Sequence, residues 1–546
     1  MPLSLPRGLG PVRLIIIFFI LLSLILFRSY YIPTPDQPDF SLSSSNTWWK
    51  SGSSAGSDDT ADVDLDHDYG LEDTGFVPAL TEFVDSLEST SVSASSSAFA
   101  SASGSAYTLA SASVTASSIL TPAVDYNVPA CRQLPGADKV VVIVKTGATE
   151  VFARIPEQIL TLAECAPNFM IFSDMEQELG DFHIHDALDE IGTEYKENHE
   201  DFQFYNSIHA AYAAHGDVSV LGSDKAWNLD KWKNIPMLHK AYTRYPDAEW
   251  YITIDADTYL GWTNLLLLLD HMDPDEPLYA GCIYWHGPTA FAQGGTGYLL
   301  SRGAVQKFEE IRSPEKIADW EKETSTICCG DVMLGVAMSQ AGVGVSGAWP
   351  MFQVDPPSAL GWSDRLWCTP AITWHHAKAY EVDALWQFEK EWINKTWDRR
   401  GPGSEPYLYR DAFEYFVQPH IDDTRSDWNN LSGDQTFTKP TEDHINEDND
   451  WDWKSDEEKQ DLWTSLTKIQ KRATRSVEHC REACEDDHDC VQWTWHPGTC
   501  KLNYSIKLGH AVGGDLETTS GWMMERIEEF KKARGECDEP QWQVDR

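Results

Sequence analysis

The chain is short of positive charge. Its 546 residues hold 42 Lys and Arg against 86 Asp and Glu, for a formal net charge of −44. So large an acidic excess argues against nucleic acid or an anionic membrane surface as a partner. Much of the excess lies in two runs, 58–73 and 442–458, which read as solvated linkers. The second run also lacks what a calcium loop needs. Asp448, Asp450 and Asp452 have the opening spacing, but Trp453 stands where Gly is required and Lys459 where Glu is. Residues 14–27 are apolar except for Ser23, and 14 helical residues reach only about 21 Å. A cleaved signal peptide is the rival reading, but it wants small residues at its cleavage site and Arg28-Ser29-Tyr30-Tyr31 is bulky.

What is present points to a tethered, secretory-pathway protein. Extended to 14–32, with Arg13 and Arg28 snorkelling, the run can serve as a retained signal anchor. Arg7 and Arg13 precede it, so residues 1–13 are expected in the cytoplasm and the rest in the lumen. Residues 33–130 read as a disordered Ser/Ala/Thr-rich stem that cannot bury enough apolar area to fold. A hydrophobic fraction of 42% and 23 Trp leave ample material for a core elsewhere. The 11 cysteines suggest an oxidising compartment. Sequons at Asn394, Asn430 and Asn503 agree with it.

From Cys131 to about residue 418 apolar strands alternate with helical patterns, which implies an α/β fold. Strands are expected at 140–144, at 169–172 and at 251–254, and an amphipathic helix over 229–245. Thr263 is expected to cap the helix that follows. The segment Tyr251–Leu260 is the centre of the reading. A strand there runs into Asp255 and Asp257, whose i, i+2 spacing lets both carboxylates face one ligand. Hard divalent cations such as Mn²⁺ or Mg²⁺ favour such oxygen donors together with phosphate.

Three glycines follow at 294, 295 and 297, either for close approach to a ligand or for a tight turn. Asp331 lies near the start of a helix, as a cap or as a general base. His375 and His376 end a further strand and can supply a metal ligand, or form a satisfied structural pair. His183 and His185 fall in a polar stretch and read as surface.

In this order the motifs resemble glycosyltransferase family 31, which holds the Fringe proteins and the core 1 β-1,3-galactosyltransferases, with the closest likeness to fungal members. The stretches that carry it are 232–235 (Trp-Lys-Asn-Ile), 247–250 (Asp-Ala-Glu-Trp), 255–259 (Asp-Ala-Asp-Thr-Tyr), 275–279, 294–298, 331–335 (Asp-Val-Met-Leu-Gly) and 374–376 (Trp-His-His). The resemblance implies a GT-A fold and inverting, Mn²⁺- or Mg²⁺-dependent transfer of a hexose from a UDP-sugar. The sugar would be galactose or a relative, moved in β-1,3 linkage to a glycan or glycoprotein acceptor. It implies Asp257, Asp255 and His375 around the metal, His376 near the diphosphate and Asp331 as the base. It places Thr146, Gly147 and Lys233 at the nucleotide. Ala256 replaces a frequent third Asp, Gly330 replaces the Glu of core 1 enzymes, and Trp227 replaces a basic residue.

Residues 419–475 read as an acidic linker. After it, Cys480, Cys484, Cys490 and Cys500 mark a disulfide-rich module over 476–546. Their spacing alone allows three pairings. The module resembles a PAN/Apple domain, which implies Cys480–Cys500 and Cys484–Cys490. Such modules bind protein or carbohydrate; a passive appendage is the alternative. Cys537 is left over. The whole reads as a type II Golgi glycosyltransferase. The alternative is a catalytically inactive, lectin-like adhesion protein using the module to bind.

Overall fold

The computed structural model describes residues 128–222, 224–400, 405–440, 454–514 and 517–545. The expected tail and anchor, and all but the last three residues of the expected stem, lie outside them. Among the described residues no helix is long and apolar enough to cross a membrane.

An eight-stranded mixed sheet lies at the centre of the α/β part. Its first five strands are β1 (Val140–Lys145), β2 (Asn168–Ser173), β3 (Gln177–Leu179), β4 (Phe182–Asp186) and β5 (Trp250–Asp255). β1 sits between β2 and β5 and runs parallel to both, β4 lies parallel beyond β2, and β3 closes that edge antiparallel. On the other side, Tyr298–Ser301 pairs antiparallel with β5, and Tyr279–Gly281 and Val345–Gly347 follow it outward. β1 is apolar at every position but its last because both faces are covered. Val140, Val142 and Val144 enter one core and Val141 and Ile143 the other. Each such side chain contributes about 1.5–3 kcal/mol by leaving water. The strands end together, and Lys145 is in register with Asp255. That edge is where open α/β sheets bind ligands.

Two local expectations need correction. The helix over 229–245 is two helices, Asp224–Asp230 and Asn234–Arg244, with a turn between them. The turn buries Trp232, whose Nε1 donates to Asp201 (2.9 Å), and brings Lys233 onto the Thr146 carbonyl (2.8 Å). Nor does Thr263 cap its helix. That helix is Trp262–Leu269 with Gly261 at the cap, and the Thr263 N–H donates to the buried Glu389 carboxylate at 2.6 Å.

The C-terminal part begins earlier than expected and is not a separate appendage. Its five-stranded sheet takes Arg425–Ser426 and Gln435–Thr438 from the expected linker, beside Gln492–His496, Thr499–Asn503 and Thr519–Trp522. These linker strands are short and polar, so their pattern is weak. Ile506, Trp522 and Ile527 join the larger core of the α/β part, and a Cys368–Cys537 disulfide ties the tail to it. Cys537 is therefore paired, and the unpaired thiol is the buried Cys282. Cys480 is bonded to Cys500 and Cys484 to Cys490 inside a small core with Trp493 and Phe437. Cys131–Cys165 and the adjacent Cys328–Cys329 complete the set.

The sequons also divide. Asn394 is exposed on the helix Ala379–Arg400. Asn430 and Asn503 are buried, and their amide nitrogens are engaged. Asn430 Nδ2 donates to the Trp493 carbonyl (3.1 Å), and Asn503 Nδ2 to the Ser505 carbonyl (2.8 Å). A glycan on either nitrogen is incompatible with this packing, so these two expectations are corrected.

Candidate active site

Asp255 is the last residue of β5, and Asp257 follows in a pinned turn. The Ala256 N–H donates to the Lys145 carbonyl at 2.9 Å. The buried Gln158 holds the Ala256 and Thr258 carbonyls (2.9 and 3.1 Å). Thr258 Oγ1 donates to the Gly295 carbonyl, and Thr373 Oγ1 to the Thr296 carbonyl, both at 2.6 Å. The carboxylate turn, the glycine loop and the strand Thr373–Trp374 are thus locked together. His375 leaves that strand with Nε2 3.5 Å from Asp257 Oδ1. Burial pushes its pKa down to about 3, so the imidazole is neutral and that contact is not an ion pair. His376 stacks on His375 with ring centroids 3.7 Å apart and has a left-handed backbone, φ +57°.

Asp255, Asp257 and His375 bring one ligand atom each within 4.8 Å of one another. Two carboxylates and a neutral imidazole suit a divalent cation. Two buried atoms nearby in the fold, His375 Nδ1 and Thr146 Oγ1, make no hydrogen bond among the described residues, which fits a site built for a ligand.

The glycine loop is needed for close approach. A Cβ on Gly295 would lie 2.1 Å from His375 Cε1. Gly295→Ala should therefore displace the imidazole by about an ångström with the fold retained, and, for a group that holds a divalent ion, lower its affinity on the order of 10²-fold as read by titration calorimetry. Gly330 has no room either, because a Cβ would lie 2.8 Å from the Lys231 carbonyl oxygen. That explains why no Glu stands there.

Asp331 is not the helix cap. The helix is Gly330–Gln340 with Cys329 at the cap. The Asp331 carboxylate accepts from the Val332 N–H (2.8 Å) and, across the site, from the Gly294 N–H (3.0 Å). Burial raises its pKa above the ordinary carboxylate range, against the lowering effect of the Gly294 N–H.

Sequence reasoning missed the charge chain beneath these groups. Lys145 is buried, with Nζ 2.5 Å from Asp230 and 3.2 Å from Asp255. Lys233 is buried too, 2.7 Å from Asp174 and 3.8 Å from Asp230. Its ammonium is fully engaged, so it shapes the loop of Thr146 and Gly147 rather than offering a free cation. Asp174 also accepts from the Ala148 N–H at 3.0 Å. Burial acts to lower the Lys145 pKa, but Asp230 and Asp255 more than offset it and raise the net value. One Asp255 oxygen faces this ammonium, whereas Asp257 faces the neutral His375 imidazole. The available signal was a lysine ending an otherwise apolar strand. Lys145→Met should cost on the order of 2–3 kcal/mol in urea unfolding, below the usual 3–5 because Asp230 and Asp255 are partly exposed.

Beside Asp331 rises an exposed hairpin, Ile283–His286 and Thr289–Ala292. Trp285, paired with Ala290, is 69% exposed. Its second strand packs on the Asp331 helix, where Gly335 meets Ala290 and Phe291.

Comparison with known proteins matches residues 136–346 to a family model described as Fringe-like. That span includes Asp255, Asp257 and Asp331 and stops short of His375. Over 98 residues the chain is 35% identical to glycoprotein-N-acetylgalactosamine 3-beta-galactosyltransferase 1 of Xenopus laevis, covering 17% of this chain. The matched part spans 27% of that relative's length. A solved structure described as a glycosyltransferase involved in the glycosylation of the major capsid of PBCV-1 aligns with 44% of this chain and 98% of its own. The identity is 12% and the TM-score 0.22, too slight to bear on function.

Proposed function

We propose that the chain is an inverting glycosyltransferase that moves a hexose, galactose or a close relative, from a UDP-sugar to a hydroxyl of a glycan or glycoprotein. The observation that carries the reading is the convergence of a half-buried carboxylate, Asp331, with the Asp255–Asp257–His375 group at the carboxyl edge of the sheet. The parallel strands, the carboxylates at the end of β5 and the Fringe-like match support a GT-A arrangement.

In this reading Asp255, Asp257 and His375 hold Mn²⁺ or Mg²⁺, which supplies positive charge to the diphosphate as the glycosidic bond breaks. Thr146 and Gly147, on the loop fixed by Lys233 and Asp174, border the nucleotide, and His376 borders the diphosphate. Asp331 takes the proton of the acceptor hydroxyl. The freed oxygen bonds to the anomeric carbon on the face opposite UDP, and UDP leaves with the electron pair of the broken bond. One carboxylate suffices for this inversion. Trp285, exposed on the hairpin that packs against the Asp331 helix, suits the apolar face of an acceptor sugar. The five disulfides fit a Golgi lumenal location behind an N-terminal anchor. The C-terminal PAN/Apple-like part, fused to the core, holds the acceptor near the site.

The test is transfer by purified protein from a panel of UDP-sugars to glycopeptide acceptors with Mn²⁺, with the product anomer read by NMR. A β-linked product is expected from an α-linked donor. An α-linked product would refute inversion, and no transfer from any donor would refute the assignment.

A further inference from the structure

We propose that the β3–β4 edge of the sheet carries a second metal site, for Zn²⁺, formed by Glu176, His183 and His185. The sequence stretch reads as polar surface, but the structure makes it a two-stranded ribbon with one coherent face. His183 and His185 alternate with the inward Phe182 and Ile184 on β4, so both imidazoles project to the same side. Glu178 on β3 lies directly opposite His183, and Glu176, two residues earlier, continues that face. One ligand atom from each of Glu176, His183 and His185 lies within 4.8 Å of the other two.

The side chains are held in orientations that suit a metal. Glu176 Oε2 accepts from the Asp186 N–H at 2.8 Å, which turns Oε1 toward His183 Nε2, 2.5 Å away. His183 Nδ1 lies 2.7 Å from Glu178 Oε1. Both His183 ring nitrogens face carboxylates; a metal ion would take the place of the proton between Nε2 and Glu176 and leave Glu178 on Nδ1–H, the arrangement that metal-binding histidines use. The His185 ring is fixed against His183 (centroids 4.5 Å apart) and Phe172 (5.3 Å). Two imidazoles and one carboxylate, with a fourth position open to water, suit tetrahedral Zn²⁺ better than Mg²⁺ or Mn²⁺, which favour oxygen donors. β2 and β1 separate β4 from β5 in the sheet, so this site is independent of Asp255, Asp257 and His375. A bound ion would clasp the edge hairpin and cover an otherwise open strand.

Zn²⁺ binding can be measured on the purified protein by competition with a chromophoric chelator, in an Asp257→Ala background that removes the first site. That protein is expected to hold one Zn²⁺ and to lose it when His183→Ala or His185→Ala is added. Glu178→Gln, which keeps the ribbon's shape, should weaken binding by about 10–100-fold, the usual effect of removing a partner of a metal-bound histidine. Equal Zn²⁺ affinity with and without His185→Ala would overturn the proposal. So would wild-type affinity in Glu178→Gln together with His183→Ala. Neither outcome depends on transferase activity, so failure here leaves the proposed function standing.

Discussion

Asp331→Asn is expected to lower transfer by about 10²–10⁴-fold while UDP and Mn²⁺ affinities stay near wild type. Asn keeps the shape and one acceptor oxygen for the Gly294 or Val332 N–H, but it cannot take the acceptor's proton. The loss of one hydrogen bond costs about 1 kcal/mol of local stability, far less than the expected loss of rate. The pH profile offers a second readout. The base must be ionised, and burial raises its pKa, so the acidic limb of kcat/KM should lie above the ordinary carboxylate range and disappear in the variant. Transfer rates equal to wild type would reduce Asp331 to a structural acceptor for the glycine loop.

Asp257→Ala is expected to abolish Mn²⁺-dependent UDP binding and to cost on the order of 10³-fold in rate. Asp257 has no ammonium on it, whereas Lys145 occupies one Asp255 oxygen. Its side chain is also partly exposed, so its removal should leave the fold intact. His375→Ala should resemble it, because the neutral imidazole is the third donor of the group. Calorimetric titration of UDP with and without Mn²⁺ separates this loss from the Asp331 effect, which spares binding. An Asp257→Ala protein with unchanged activity and intact fold would remove the metal assignment.

How much of this was legible in the sequence varied with the kind of physics involved. The strands β1 and β5 were readable because a strand buried on both faces must be apolar throughout, and Asp255 stands out where such a run ends. The placement of Asp331 and His375 near that edge followed from order and resemblance. The role of Lys145 was only hinted at. A lysine ends an otherwise apolar strand, which by itself reads as a solvated strand end, and only the meeting of β1, β5 and the end of the helix Asp224–Asp230 buries it between two carboxylates. The strands at 425–438 carry too little apolar alternation to stand out from an acidic linker. Asn430 and Asn503 satisfy a three-residue pattern that says nothing about burial. For His183 and His185 the signal was present, since Phe182-His-Ile-His185 alternates, but their partner Glu176 is supplied by strand pairing that composition does not reveal.

The most direct test of the central claim is UDP release by the wild-type protein from a panel of UDP-sugars, with Mn²⁺ and with EDTA, in the presence of a glycopeptide acceptor. The account predicts release from one hexose donor that depends on both Mn²⁺ and acceptor, and that falls to background in Asp257→Ala. Release that persists in EDTA, or that is unchanged in Asp257→Ala, would contradict it.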